Sequence, residues 1–140
     1  MYPNSIKMKS FKLLVIFFFA IWCSSGTLFA QDEKLYSYQE VDAKPQFNGG
    51  DLNSFTVWVH KHVTYPVIAR ENGVQGRIII QFTVGTDGAI RDIKAIRSVD
   101  VTLEKEAIRV VKSSPKWEPG MKDGAAVATR MNIPIIFRLL

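Results

Sequence analysis

Between Arg77 and Val84 the chain reads RIIIQFTV, with apolar side chains at Ile78, Ile80, Phe82 and Val84. Only an extended strand places residues two apart on one face, so this stretch is read as a strand with that face buried. Gly85-Thr86-Asp87-Gly88 follows at once, and Asp-Gly is a residue pair suited to a tight hairpin turn. The returning segment alternates poorly, since Ile90, Ile93 and Ile96 are three apart, and a β-bulge is expected there. A second strand period closes the chain in AVATRMNIPIIFRLL. Val127, Thr129, Met131, Ile133, Ile135 and Phe137 share one side, while Ala128, Arg130, Asn132 and Arg138 share the other. Pro134 lacks the amide donor an interior strand needs, which argues that this closing strand lies at an edge.

The remaining apolar residues follow a helical period. Asp51 suits an N-cap for a helix running to about His62, with Leu52, Phe55, Val59 and Val63 on one face. Tyr65-Pro66 opens a short turn of helix with Pro at the first helical position and Gly73 as its left-handed end. Asp100 caps a third helix, with Glu104 and Glu106 near its positive end, Lys112 near its negative end, and Leu103, Ala107, Val110 and Val111 as its apolar stripe. Pro115 stops it. The fold class is therefore α+β: a three-stranded antiparallel sheet made of a hairpin and a closing strand, a helix packed across it, and short helices ahead.

With 140 residues, 47% of them hydrophobic, the chain suits one small core. Residues 1–30 have a lysine-bearing start, an apolar run from Leu13 to Trp22 and Ala30 ahead of QDEK, the parts of a secretory signal or a short membrane anchor; cleavage after Ala30 is expected. Cys23 is the only cysteine, so no internal disulfide forms, and bulky Trp22 before it disfavours lipidation. Residues 31–50 read as an extended polar arm with docking residues only between Val41 and Phe47; the domain proper spans 51–140. The formal charge of +5 rests partly on Lys7, Lys9 and Lys12, and without residues 1–30 it falls to +2. The basic residues are interspersed with acidic ones, which disfavours nucleic acid as a partner.

Catalytic chemistry finds little footing. His60 and His62 are two apart, a separation that points helical side chains in different directions, whereas helical metal sites use three or four. Ser113 and Ser114 sit at a helix end without a nucleophile motif, and Asp87 belongs to the turn. Gly73-Val74-Gln75-Gly76 precedes a strand and is too short for a phosphate loop. In SSPKWEPGMKDG the candidates are Lys116, Glu118 and Asp123, and none accompanies a nucleophile. No metal, no cofactor and no enzymatic activity is expected.

The order Tyr-Pro, Gln-Gly before a strand, Asp-Gly in the hairpin, Glu-Ala in the helix, Trp-x-Pro-Gly and a final Phe-x-Leu resembles the C-terminal domain of the TonB family of energy transducers. It is carried by YPVIARENGVQGRIIIQFTVGTDGAI, LEKEAIRVVKSSPKWEPG and NIPIIFRL, and the similarity extends over about residues 41–140. The resemblance implies a periplasmic domain that pairs by strand addition with the TonB box of outer-membrane receptors and supports energy-dependent transport, inner-membrane proton-driven motor proteins supplying the force. If residues 1–30 stay attached, the chain is inner-membrane anchored. Arg130 to Leu140 would be the pairing strand, with Asn132, Ile133, Ile135, Ile136 and Arg138 as contacts and His62 and Thr64 beside it. Tyr65, Pro66, Gly76, Asp87, Gly88, Trp117, Pro119 and Gly120 match the family's structural motif. Trp117 is expected to staple the helix end, while Pro119, Gly120 and Gly124 aim the chain into the last strand. The alternative is an envelope adaptor or structural protein whose edge pairs with a second copy in a homodimer.

Overall fold

The computed structural model describes residues 33–140, which form one compact unit; residues 1–30, including Cys23 and the expected cleavage point, lie outside the described residues. In chain order the elements are β1 (Leu35–Ser37), α1 (Leu52–His62), α2 (Val67–Glu71), β2 (Gly76–Val84), β3 (Ile90–Arg97), α3 (Val101–Lys112), β4 (Gly120–Lys122) and β5 (Ala125–Phe137). The mixed α+β class read from the sequence is the class observed.

The two longer helices start where short acidic side chains satisfy their first amides. Asp51 accepts from the Ser54 N–H at 3.1 Å, and Asp100 accepts from the Thr102 and Leu103 N–H groups at 2.8 and 3.1 Å. The α2 turn differs by one position from the reading above: Pro66 is its N-cap, in an extended conformation, instead of its first helical residue. Gly73 supplies the left-handed exit, with φ +64°.

The sheet runs β1-β5-β2-β3, and β4 pairs separately with the start of β5. The expected hairpin and closing strand are its antiparallel centre. The bulging appears in β3, where the register with β2 shifts twice, between Ile79 and Ile80 and between Gln81 and Thr83. Asp92 adopts φ +52° at the second shift. Two strands were not foreseen. β4 makes a hairpin with Ala125–Val127, and β1 runs parallel to β5 over Ala128–Arg130. The closing strand is thus paired on both sides at Thr129 and Arg130 and an edge only beyond them, which corrects the expectation of a three-stranded sheet with β5 as its edge. Ala128, on the side of β5 opposite Met131 and Ile133, is also buried.

One core lies between the sheet and the helices. Ile78, Ile80, Phe82 and Val84 of β2 and Met131, Ile133, Ile135 and Phe137 of β5 meet Phe55 and Val59 of α1 and Leu103, Ala107, Val110 and Val111 of α3. Each fully buried aliphatic side chain here stabilises the fold by about 2 kcal/mol. The arm joins this core: Val41 and Phe47 are buried, and isolated bridges tie Ala43 to Met121 and Gln46 to Glu118.

Candidate functional site

The outer side of β5 leaves a run of its backbone without a strand partner. Its inner side is fully paired, with Gly76 to Val84 opposite Phe137 to Thr129. Antiparallel partners alternate between pairs that exchange two hydrogen bonds and pairs that exchange none. Pro134, opposite Ile79, has no N–H and therefore belongs to a non-bonded pair. Asn132 and Ile136 then share its phase, and their N–H and C=O groups point away from β2. β1 covers the outer side only as far as Arg130, opposite Ser37. Among the described residues no strand covers Asn132–Phe137.

A side chain from α1 touches this opening. His60 Nδ1 lies 2.8 Å from the Thr56 carbonyl and its Nε2 lies 3.5 Å from the Ile136 nitrogen. The tautomer protonated at Nδ1 satisfies both contacts, donating to Thr56 and accepting from Ile136. The long second contact is weak and readily displaced. His60 was not among the expected site residues. Its place in α1 marks only an exposed helical position, and the neighbourhood of β5 comes from the packing of α1.

The opposite sheet edge, β3, is built differently. It carries two register shifts, a left-handed Asp92 and exposed Arg91, Lys94 and Arg97. Bulges and charges of this kind obstruct strand addition. Of the two long edges, only β5 keeps an unbroken register, with the long His60 contact as the one side-chain bond to its outer backbone among the described residues.

The expected contacts separate into three groups. Asn132, Ile136 and Arg138 are exposed on or just beyond the open run. Ile133 and Ile135 are fully buried, with side chains in the core and backbone groups committed to β2, so the structure removes them as side-chain contacts. His62 and Thr64 sit off the edge. The His62 ring stacks on Trp58 at 4.3 Å and its Nδ1 lies 2.7 Å from the Trp58 carbonyl. Thr64 turns toward α3, donating its N–H to Glu106 Oε1 at 2.7 Å. Arg109 donates to the same carboxylate at 2.6 and 2.8 Å, and these bonds, led by those of Arg109, hold the Glu106 carboxyl below its ordinary pKa against partial burial.

The residues expected to be structural divide between the two ends of the sheet, Asp87, Gly88, Trp117, Pro119 and Gly120 at one and Tyr65, Pro66 and Gly76 beside Phe137 at the other. Trp117 is buried in an aromatic cluster, 4.8 Å from Phe55, 5.4 Å from Phe47 and 5.8 Å from Phe82, so it belongs to the core and does more than cover a helix end. Its indole N–H donates to Ser114 Oγ at 3.0 Å, and its backbone N–H donates to Gly88 O at 2.8 Å. Asp87 Oδ1 accepts from the Ala89 N–H at 3.0 Å, closing the turn. Gly76 and Gly120 are close approaches: an added Cβ would lie 2.4 Å from a Val99 methyl and 2.4 Å from Thr129 Oγ1, respectively. Pro119 leads into Gly120 and β4. The Tyr65 hydroxyl donates to the Val74 carbonyl, and its ring meets Phe137 edge-on at 5.6 Å, with Pro66 capping α2 beside it. Among the described residues no group of three or more His, Cys, Asp or Glu side chains is placed to hold a metal. No helix among them is long and apolar enough to cross a membrane.

Comparison with known proteins follows the same elements. The family model described as Gram-negative bacterial TonB protein C-terminal matches residues 61–139. Protein TonB of Helicobacter pylori is 27% identical over 99 residues, covering 66% of this chain and 33% of that protein. Protein TonB of Pseudomonas aeruginosa is 29% identical over 75 residues, covering 54% of this chain and 22% of that protein. The matched region thus spans a third or less of these relatives. The NMR solution structure of the Helicobacter pylori TonB-CTD is similar with a TM-score of 0.52 at 27% identity, covering 67% of this chain and 89% of that one. The match over 79 consecutive residues, running from the end of α1 through β5, establishes that this chain belongs to the TonB C-terminal family.

Proposed function

We propose that this domain works in the periplasm as a docking module, taking the TonB box of an outer-membrane receptor as an added strand on β5. It would thereby support energy-dependent transport, with force supplied by inner-membrane proton-driven motor proteins. The single observation that carries the reading is the open run Asn132–Phe137, whose outward backbone groups are met only by the weak His60 contact among the described residues. Six residues of strand extend about 20 Å, enough for a short peptide to form several ladder bonds. β1 ends opposite Arg130 and would stop an incoming strand there. Pro134 contributes a carbonyl but no donor, so the docked segment forms a ladder with one donor fewer. Chemistry at the site needs no cofactor and no catalytic group.

The test is titration of the isotopically labelled full chain with a synthetic TonB-box peptide. The amides of Asn132 and Ile136 are expected to shift most and to gain protection from exchange. Asn132→Pro removes one outward donor without touching the β2 ladder, and is expected to weaken binding about fivefold, the loss of one net hydrogen bond. Peptide binding that leaves both amides unmoved would overturn the reading. A mass that doubles with concentration, with no peptide bound, would assign the edge to a second copy instead.

A further inference from the structure

The helix-free face of the sheet carries charge of nearly one sign. In register, Arg97, Ile79 and Pro134 form one row across β3, β2 and β5, followed by a row of Lys94, Gln81 and Asn132 and one of Arg91, Thr83 and Arg130. Arg77, opposite Ile136, extends the face at its far end. Arg77, Lys94, Arg97 and Arg130 are exposed, and among the described residues none of the four makes an ion pair. The acidic groups stand at one corner, where Arg91 pairs with Glu33 and lies 3.4 Å from the Asp92 carboxylate. Near that corner the face is hollowed by a cavity of about 340 Å³, bordered by Lys94 and Arg130 over Gln81 and Thr83, with Leu35 and Ile93 as apolar walls and Asp92 at its rim as the one acidic neighbour. The linear sequence hides this arrangement, because the four cations come from three strands and are separated there by acidic and apolar residues.

We propose that this hollow is a second docking site, for a carboxylate-bearing segment of a partner polypeptide. An Asp or Glu side chain would enter between Lys94 and Arg130, and Arg77 and Arg97 would extend the attractive field beyond it. Three features select a polypeptide. The Gln81 and Asn132 amides both donate and accept, as peptide groups require. The cavity has room for an acidic side chain together with neighbouring peptide groups, and part of its wall is apolar. The twist of the sheet carries the cations out of a common plane, so a chain can follow them where a flat bilayer meets only some. The site uses side chains on the sheet face and does not depend on strand addition at β5.

The experiment is fluorescence anisotropy of the full chain with a short labelled peptide of alternating Glu and Ser, at low and at physiological salt. The double variant Lys94→Gln with Arg130→Gln is expected to weaken binding about tenfold at low salt, as loss of two partly desolvated charge contacts should. The helix-side pair Lys105→Gln with Lys112→Gln removes the same net charge and is expected to change binding by less than about twofold, because only the local field is altered on the sheet face. The exchange Lys94→Arg with Arg130→Lys keeps both charges and should retain binding. Equal weakening by the two charge-removing pairs would overturn the proposal, as would loss of binding in the charge-preserving variant. Face-dependent binding to phosphatidylglycerol vesicles with no binding of the peptide would assign the surface to lipid and would also refute it.

Discussion

Gly88 illustrates how much a single position can be asked to do. Its φ is +82°, and an added Cβ would lie 1.9 Å from the Trp117 carbonyl oxygen. The turn needs the left-handed backbone, and the Trp117 N–H needs the Gly88 carbonyl at close range. Gly88→Ala is therefore expected to destabilise the fold by about 2–4 kcal/mol, seen as a lower urea midpoint with unchanged slope. Asn tolerates the dihedral but not the contact, so Gly88→Asn should be nearly as damaging. Gly73, at φ +64° with nothing within 4 Å of an added Cβ, is the control, and Gly73→Asn should stay within about 1 kcal/mol of the parent. If both Asn variants lose the same stability, the Trp117 contact is not the cause. Trp117→Ala empties the centre of the aromatic cluster and is expected to lose about 3–5 kcal/mol in the same measurement.

At the scale of elements, the loop between α1 and α2 is tied to α3 through one carboxylate. Glu106 accepts from Arg109 and from the Thr64 N–H, and its folded-state pKa lies below the ordinary value of 4.5. A depressed carboxylate contributes stability above its unfolded pKa and loses it as pH falls through the folded value. The advantage of the parent over Glu106→Gln should therefore be complete at neutral pH and shrink below about pH 4.5. Urea unfolding of both proteins across acidic pH measures it, and a constant gap would mean that ionisation of Glu106 is not involved. The sheet edges divide along similar local lines. β3 is closed to pairing by its bulges and cations, while β5 beyond Arg130 is regular in register and uncovered by another described strand.

For the molecule as a whole, the arm is part of the fold. Phe47 lies 5.0 Å from Phe55, 5.6 Å from Trp58 and 5.4 Å from Trp117, joining residues distant in the chain. Phe47→Ala is expected to lose about 3–5 kcal/mol by thermal or urea unfolding. Glu33→Gln, which removes the charge facing Arg91 and weakens the bond that Glu33 accepts from the Thr86 N–H, should change stability by less than about 1 kcal/mol. Equal losses would indicate that the arm is held by its charged end instead of its aromatic one.

The helices, their Asp51 and Asp100 caps, the hairpin turn and the bulging of β3 were legible in the sequence because each depends on residue spacing or on a local backbone requirement. The family was legible from the order of short motifs. What escaped was set by contacts between distant segments. β1 is three residues long, too short to show a period, and it exists because Leu35–Ser37 finds Ala128–Arg130. Period two placed Ile133 and Ile135 correctly on one side of β5 with Met131 and Phe137, yet only the packed helices show that this side is the core and so unavailable to a partner. The length of β5 left open, the approach of His60 to Ile136, and the gathering of Arg77, Lys94, Arg97 and Arg130 on one face were likewise decided by the tertiary structure. Local geometry determines which elements form, and long-range packing determines which of their surfaces remain exposed.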